Sequence, residues 1–269
     1  MDGSIASEIA KYIENDGSLG ENWSFMDKQS AIELSVVVLC YQEGRRIRNF
    51  LPCIVALLEK NVNSWEVILV GNYIEGFADE TPLVVQDLAS KDSRLVAVTL
   101  VKQGMMGWDA RSGLDRAKGR FICLIDGDEQ MPWNDIIRIF EKIKTEKLDF
   151  VLTRREKRND GFHRWLNSRT FNLLTRILFP GIQVQDINSK PKIFTREALQ
   201  CMALASDDWF LDTEMIIQSW RLGLRIGEVP TKFLKGRYRK SFVRPSAILE
   251  FLRNLIKARM SGFKGPEAK

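Results

Sequence analysis

The sequence predicts an α/β protein built on a mostly parallel, doubly wound sheet. Short apolar runs of strand length recur along the chain, and the stretches between them repeat apolar residues at three- and four-residue steps. The fourth run ends in a carboxylate cluster, Asp126-Gly127-Asp128-Glu129, at the edge where such sheets bind ligands.

Residues 1–33 are polar, contain Gly, Ser and Asn, and are only weakly periodic, so they read as a surface extension. The first strand follows at 34–39 (LSVVVL), then WEVILV at 65–70, LVAVTL at 95–100, FICLI at 121–125 and DFVLT at 149–153. Runs apolar on both faces mark strands covered on both sides, as in parallel sheets. Between the first two, Ile47, Phe50, Leu51, Ile54, Leu57 and Leu58 trace one face of a crossover helix. A start near Asn49 would put Pro52 in the first turn, where it is tolerated. A second crossover is expected at 82–89 and a third at 109–117, stopped by Gly119. After Pro132, Ile136, Ile137, Ile139, Phe140 and Ile143 mark another helix. Amphipathic segments follow at 162–178 and 245–260, with a helix at 212–222 between them. The expected organisation is an extension (1–33), one catalytic domain (34–243) and a basic amphipathic helix with a tail (244–269).

At 269 residues, 45% hydrophobic and 28% charged, the chain has the size and composition of one globular domain. No apolar run approaches the ~20 residues that cross a bilayer, and the acidic N-terminal stretch is unlike a signal peptide. A cytoplasmic protein is expected. Cys40, Cys53, Cys123 and Cys201 are far apart and mostly within apolar runs, which reads as reduced core thiols, and the single histidine, His163, argues against a His/Cys zinc site. A net charge of +5 admits a phosphorylated ligand or an anionic membrane surface. No nucleic-acid-binding motif is present, so no nucleic-acid partner is expected.

Two aspartates flanking a glycine at the end of a buried strand offer hard oxygen ligands suited to Mg²⁺ or Mn²⁺ on a diphosphate. An Asp-Gly turn closing a strand is the plainer reading of the same residues. The surrounding motifs favour the first. SVVVLCYQE, the strand at 65–70, Lys102-Gln103-Gly104, RSGLDRAKGRFICLIDGDEQ and EMIIQSWRLGLRIGEVP together resemble the family-2 nucleotide-diphospho-sugar transferases. Within these the chain is most similar to the dolichyl- and polyprenyl-phosphate mannose and glucose synthases, over about 34–243.

The resemblance implies a GT-A fold, a UDP- or GDP-linked sugar donor, Mg²⁺ or Mn²⁺, inversion at the anomeric carbon, and a lipid-phosphate or glycan acceptor. It places Asp126 against the ribose and metal, Asp128 on the cation, and Gln130 just beyond them. Tyr41 and Glu43 would cradle the base and ribose. Lys102 matches the basic residue ahead of a glycine-rich loop, and Arg111 would add charge where that loop opens a helix N-terminus toward the diphosphate. Arg237 and Lys240 belong to a basic stretch that would fold over the same phosphates. Asp212 aligns with the catalytic aspartate, a base if the acceptor is a hydroxyl, though a helix cap explains it equally. One departure stands out: Gly71-Asn72 replaces two aspartates that read the base, so Asn72 is expected to contact a base edge with altered selectivity.

A hydroxyl-directed transferase in polysaccharide or glycolipid synthesis is the nearest rival, and a non-catalytic nucleotide-sugar binding module a more distant one. The segments at 162–178 and 245–260 combine apolar faces with arginines and lysines, which suits peripheral contact with an anionic membrane. Packing against the core, or against a second copy in a homo-oligomer, would use the same faces.

Overall fold

A computed structural model describes residues 31–157, 171–232, 234 and 246–261. Residues 1–30 of the expected extension, 162–170 of the first amphipathic segment, and Arg237 and Lys240 lie outside the described residues. Strands β1 (Leu34–Leu39), β2 (Trp65–Val70), β3 (Leu95–Val98), β4 (Phe121–Asp126), β5 (Phe150–Lys157), β6 (Lys192–Thr195) and β7 (Ile226–Lys232) form one sheet. Their order is β3-β2-β1-β4-β6-β5-β7. The first four are parallel, with Leu39 level with both Val70 and Asp126, and Val70 level with Val98. Their carboxyl ends therefore form one straight edge. Strand order reverses at β1, the position where α/β sheets bind ligands.

The crossovers are α1 (Ile47–Asn61), entered through a 3₁₀ turn at Gly44–Arg46, then α2 (Thr81–Ala89), α3 (Met106–Leu114) and α4 (Asp135–Thr145). Beyond β6 come α5 (Arg196–Cys201), α6 (Leu211–Arg221) and α7 (Ser246–Ser261), with helical residues also at 171–178. Strand alternation sorts the core into two layers. Val36 and Val38 pack with Phe50, Ile54, Ile136 and Ile139 of α1 and α4, while Val37 and Leu39 join Ala110, Leu114, Met215 and Ile216 of α3 and α6. The doubly wound α/β expectation is met.

Several details differ from the sequence reading. The third strand stops at Val98, two residues early, and the chain continues to an isolated bridge between Tyr73 and Val101. Helix α1 begins at Ile47, so Pro52 sits inside it rather than in its first turn. Helix α3 begins three residues earlier than expected, at Met106. Strand β5 does not lie beside β4; β6 intervenes, antiparallel to both. Its four residues, KIFT, are too few to show a period. Of the four cysteines, Cys40 and Cys123 are buried, but Cys53 and Cys201 are exposed, and all four are free. Cys53 follows Pro52 on the outer face of α1, which the apolar spacing of that helix leaves to solvent.

The C-terminal helix is divided between two environments. Leu255 and Ala258 of α7 are buried in the second core layer, Phe251 packs edge-on against Phe171, and Arg221 donates to the Ala258 carbonyl. Ile256 and Met260 stay exposed beside Arg253, Lys257 and Arg259. Among the described residues no helix is long and apolar enough to cross a membrane.

Candidate active site

The carboxyl edge gathers the acidic residues first. Asp126 ends β4, and the Gly127 amide donates to the Leu39 carbonyl at 2.9 Å, which keeps the chain bound to β1 as it turns. A side chain at Gly127 would put its Cβ 2.9 Å from that same oxygen, closer than side chains approach a carbonyl. Glycine is therefore the residue that fits between the two aspartates. The Asp128 carboxylate accepts from the Gln130 amide at 3.1 Å, and the Gln130 carbonyl accepts from Leu234 at 2.8 Å. Burial and the adjacent Asp126 charge, with Glu43 adding to them, push the Asp128 carboxyl up to about 6. Glu43 is buried, with Arg46 paired to it at 2.7 Å.

Asp126 and Asp128 supply hard oxygens, and among the described residues no group of three or more acidic, histidine or cysteine side chains forms a complete metal cage. Mg²⁺ and Mn²⁺ use such partial sets, taking their remaining ligands from phosphate and water, so the donor set fits a divalent cation that arrives with a diphosphate.

Opposite the aspartates stands a buried cation. The Lys190 ammonium lies 3.0 Å from Asp212 and 3.5 Å from Asp126. Lys192 pairs with the other oxygen of Asp212 and also donates to the Ile187 carbonyl at 2.8 Å. Burial opposes the charge on Asp212, but the two lysines outweigh it and hold the carboxyl below the ordinary range. Burial likewise opposes the charge on Lys190, and Asp126 and Asp212 outweigh it in turn. Asp212 lies in the first turn of α6, whose N-cap residue is Phe210, so it is not the cap that its position suggested. Neither lysine was singled out in the sequence. The signal was a Lys-Pro-Lys run leading into an apolar strand.

The residues expected on the nucleotide side meet as a chain of contacts. The Lys102 ammonium sits 4.4 Å from the Tyr41 ring centre and pairs with Asp109 of α3. Asp109 in turn accepts from the Asn72 amide at 2.9 Å. Burial raises the Asp109 carboxyl above its ordinary value despite Lys102. Asn72 is fully buried; its amide also donates to Ser112 at 2.9 Å, and its oxygen accepts from Leu100 at 2.9 Å. With these bonds made, Asn72 is a strut that holds Asp109. Asp109 was missed because its partners come from two other loops.

Arg111 and the start of α3 also depart from expectation. The amides of Met105, Gly107 and Trp108 donate to the carbonyls of Asp207 and Asp208 at 2.7, 3.1 and 3.2 Å. Arg111 donates to the Ala205 carbonyl at 3.0 Å and to Asp207 at 2.6 Å. A Cβ on Gly107 would lie 2.5 Å from two carbonyl oxygens of this strap. The helix N-terminus expected to bind an anion is thus capped by the 205–208 segment, and Arg111 secures that cap.

The sequence pattern of glycosyl transferase family 2 matches residues 35–206. The chain is 26% identical over 246 residues to a dolichyl-phosphate beta-glucosyltransferase of Trichomonas vaginalis, covering 84% of this chain and 72% of that protein. It is 26% identical over 210 residues to the dodecaprenyl-phosphate galacturonate synthase of Rhizobium johnstonii, covering 76% and 59%. Over 209 residues it is 28% identical to a glycosyltransferase of Haloferax volcanii, covering 75% of this chain but only 33% of that one. The chain thus spans about three-fifths and one-third of the length of the last two relatives. The glucosyl-3-phosphoglycerate synthase of Mycobacterium tuberculosis, solved with Mn²⁺, UDP and phosphoglyceric acid, shares the fold with a TM-score of 0.65 at 20% identity, covering 87% of this chain and 80% of that one. With its GT-A sheet and a family match over most of its length, the chain belongs to glycosyl transferase family 2.

Proposed function

We propose that this protein is an inverting, metal-dependent hexosyltransferase that moves a sugar from a UDP- or GDP-sugar to a polyprenyl-phosphate-type lipid. It would work at the inner surface of the cytoplasmic membrane. In this reading 34–243 is the catalytic domain, flanked by the extension and the C-terminal basic helix. The observation that carries it is the meeting of Asp126, Asp128 and Glu43 with the Lys190 ammonium at the carboxyl edge. The names of two relatives support the acceptor, being those of enzymes for dolichyl-phosphate and dodecaprenyl-phosphate.

Asp126 and Asp128 would hold Mg²⁺ or Mn²⁺, which supplies positive charge to the diphosphate as it leaves. Tyr41 and Lys102 would flank the base, Glu43 the ribose, and Gln130 the loop beneath the sugar, while Arg237 and Lys240 would clamp phosphate oxygens. The acceptor phosphate oxygen attacks the anomeric carbon opposite the diphosphate. A new carbon–oxygen bond forms, the old one breaks, and its electron pair departs with the nucleoside diphosphate. A phosphate is already ionised at neutral pH, so no base is needed. Asp212 fits this acceptor, because both its oxygens are engaged by ammonium groups and a hydroxyl acceptor would require one of them to take a proton.

The test is transfer of labelled sugar from UDP- and GDP-donors to dodecaprenyl phosphate in detergent, with Mn²⁺ or with EDTA. Label is expected in the lipid extract only with metal, and D128N is expected to abolish transfer while the protein still melts in one cooperative transition. Transfer to glycan hydroxyls but not to lipid phosphate would favour the rival reading.

A further inference from the structure

Burying an ammonium is costly unless its charge is answered. Lys190 is answered by Asp212 at 3.0 Å, yet its ammonium also reaches Asp126 at 3.5 Å. Asp126 has no need of this second contact, since its side chain is 38% exposed and accessible to water. The contact instead sets a permanent positive charge against an oxygen that a divalent cation would also claim.

The surrounding turn keeps it there. Arg155 grips Asp186 through two bonds of 2.6 and 2.7 Å, Ser189 and Thr153 share a hydroxyl bond of 2.7 Å, and the Thr153 amide donates to the Pro191 carbonyl at 3.2 Å. Asp212 is fixed from its other side by Lys192. Lys190 is thus carried on a rigid turn with its carboxylate anchor also immobilised.

We propose that Lys190 is a built-in competitor of the divalent cation. In the nucleotide-free protein its ammonium holds the Asp126 side of the site and weakens metal binding. An arriving diphosphate brings enough negative charge for the ammonium and the metal to coexist, so metal and nucleotide bind as a pair rather than metal first. This rests on the metal-dependent reading above.

The experiment is a Mn²⁺ titration of wild type, K190Q and K190R, followed by the electron paramagnetic resonance of the free ion, with and without UDP. Even with water-like screening, removing a unit charge a few ångströms from a dication changes affinity by about tenfold or more. Without UDP, K190Q is expected to bind Mn²⁺ about tenfold tighter than wild type, while K190R stays close to wild type. UDP is expected to tighten Mn²⁺ binding by a larger factor in wild type than in K190Q. A K190Q protein with a normal melting curve that binds Mn²⁺ no more tightly than wild type overturns the inference. Should K190Q fail to fold, K190M, which fills the same space without a buried polar group and leaves Asp212 paired to Lys192, is read by the same criterion. If no protein binds Mn²⁺ even with UDP, the metal-dependent reading falls, and the competition with it.

Discussion

The carboxylate that Gly71-Asn72 lacks is present on α3 as Asp109, tied to Asn72 on one side and to Lys102 on the other. Asp109 is buried with one oxygen on Asn72 and the other on Lys102, so it acts on the pocket by holding these two in place. D109N is therefore expected to weaken UDP- and GDP-sugar binding alike, by about tenfold, as read by calorimetry. A D109N protein that binds both donors as wild type does would show that Lys102 keeps its place without this carboxylate. Asp128 gives a pH signature. Its folded value of about 6 lies above the ordinary carboxylate value of 3.8, so the folded state binds the extra proton between the two. The metal-free protein should therefore gain thermal stability as pH falls from 7.5 toward 5, and D128N should lose that gain. Asp126 and Asp128 were legible because their spacing and strand-end position lie within one local stretch. Asp109 and Lys190 were not, since Lys190 meets Asp212 only across 22 residues of chain and a change of strand direction.

At the scale of elements, α3 is tied at its start to the strap at 205–208, and α6 holds the same strap from its other side. Glu214 accepts from the amides of Ala205 and Ser206 at 3.0 and 2.8 Å, and Asn254 of α7 donates to Asp208 at 2.7 Å. Three helices thus share one connecting segment. G107A should push the strap outward, and is expected to lower both the melting temperature and nucleotide affinity, because Lys102 and Asp109 sit at the same helix start. A normal melting curve with normal binding would show that the strap yields freely. The outer face of α7 makes a separate prediction. Met260 is 82% and Ile256 51% exposed, one helical turn apart and flanked by Lys257 and Arg253. Leu173 and Ile177, at the same spacing, are 58% and 64% exposed. I256E/M260E is expected to reduce co-sedimentation with anionic vesicles at low salt by about tenfold or more, without altering nucleotide affinity. Periodicity alone identified α7 as amphipathic; it does not say that Leu255 belongs to the core and Ile256 to the surface, which depends on how the helix is rotated against Phe171 and Arg221.

For the whole molecule, the parallel half of the sheet was legible because each of its strands is a near-continuous apolar run separated by a helical period. The other half was not: β6 is four residues long and opens with a buried lysine, and β7 carries Glu228 and Pro230 within a partly exposed strand. If the carboxyl edge works as one site, ligands should stabilise the molecule in concert. UDP with Mn²⁺ is expected to raise the melting temperature by more than the sum of the two added singly, because whatever binds only the native state stabilises it by mass action. Strictly additive shifts would separate the nucleotide subsite from the cation subsite.

The reversed direction of β6 has a consequence for the loop that leads into it. In a parallel strand the loop that leaves the strand reaches the reactive edge, and the incoming loop lies on the opposite rim. Because β6 runs the other way, its incoming loop is delivered to the chemistry, with Lys190 at its end. A segment that would otherwise lie on the far rim therefore reaches the carboxyl edge, and any change of charge within it is felt directly by Asp126.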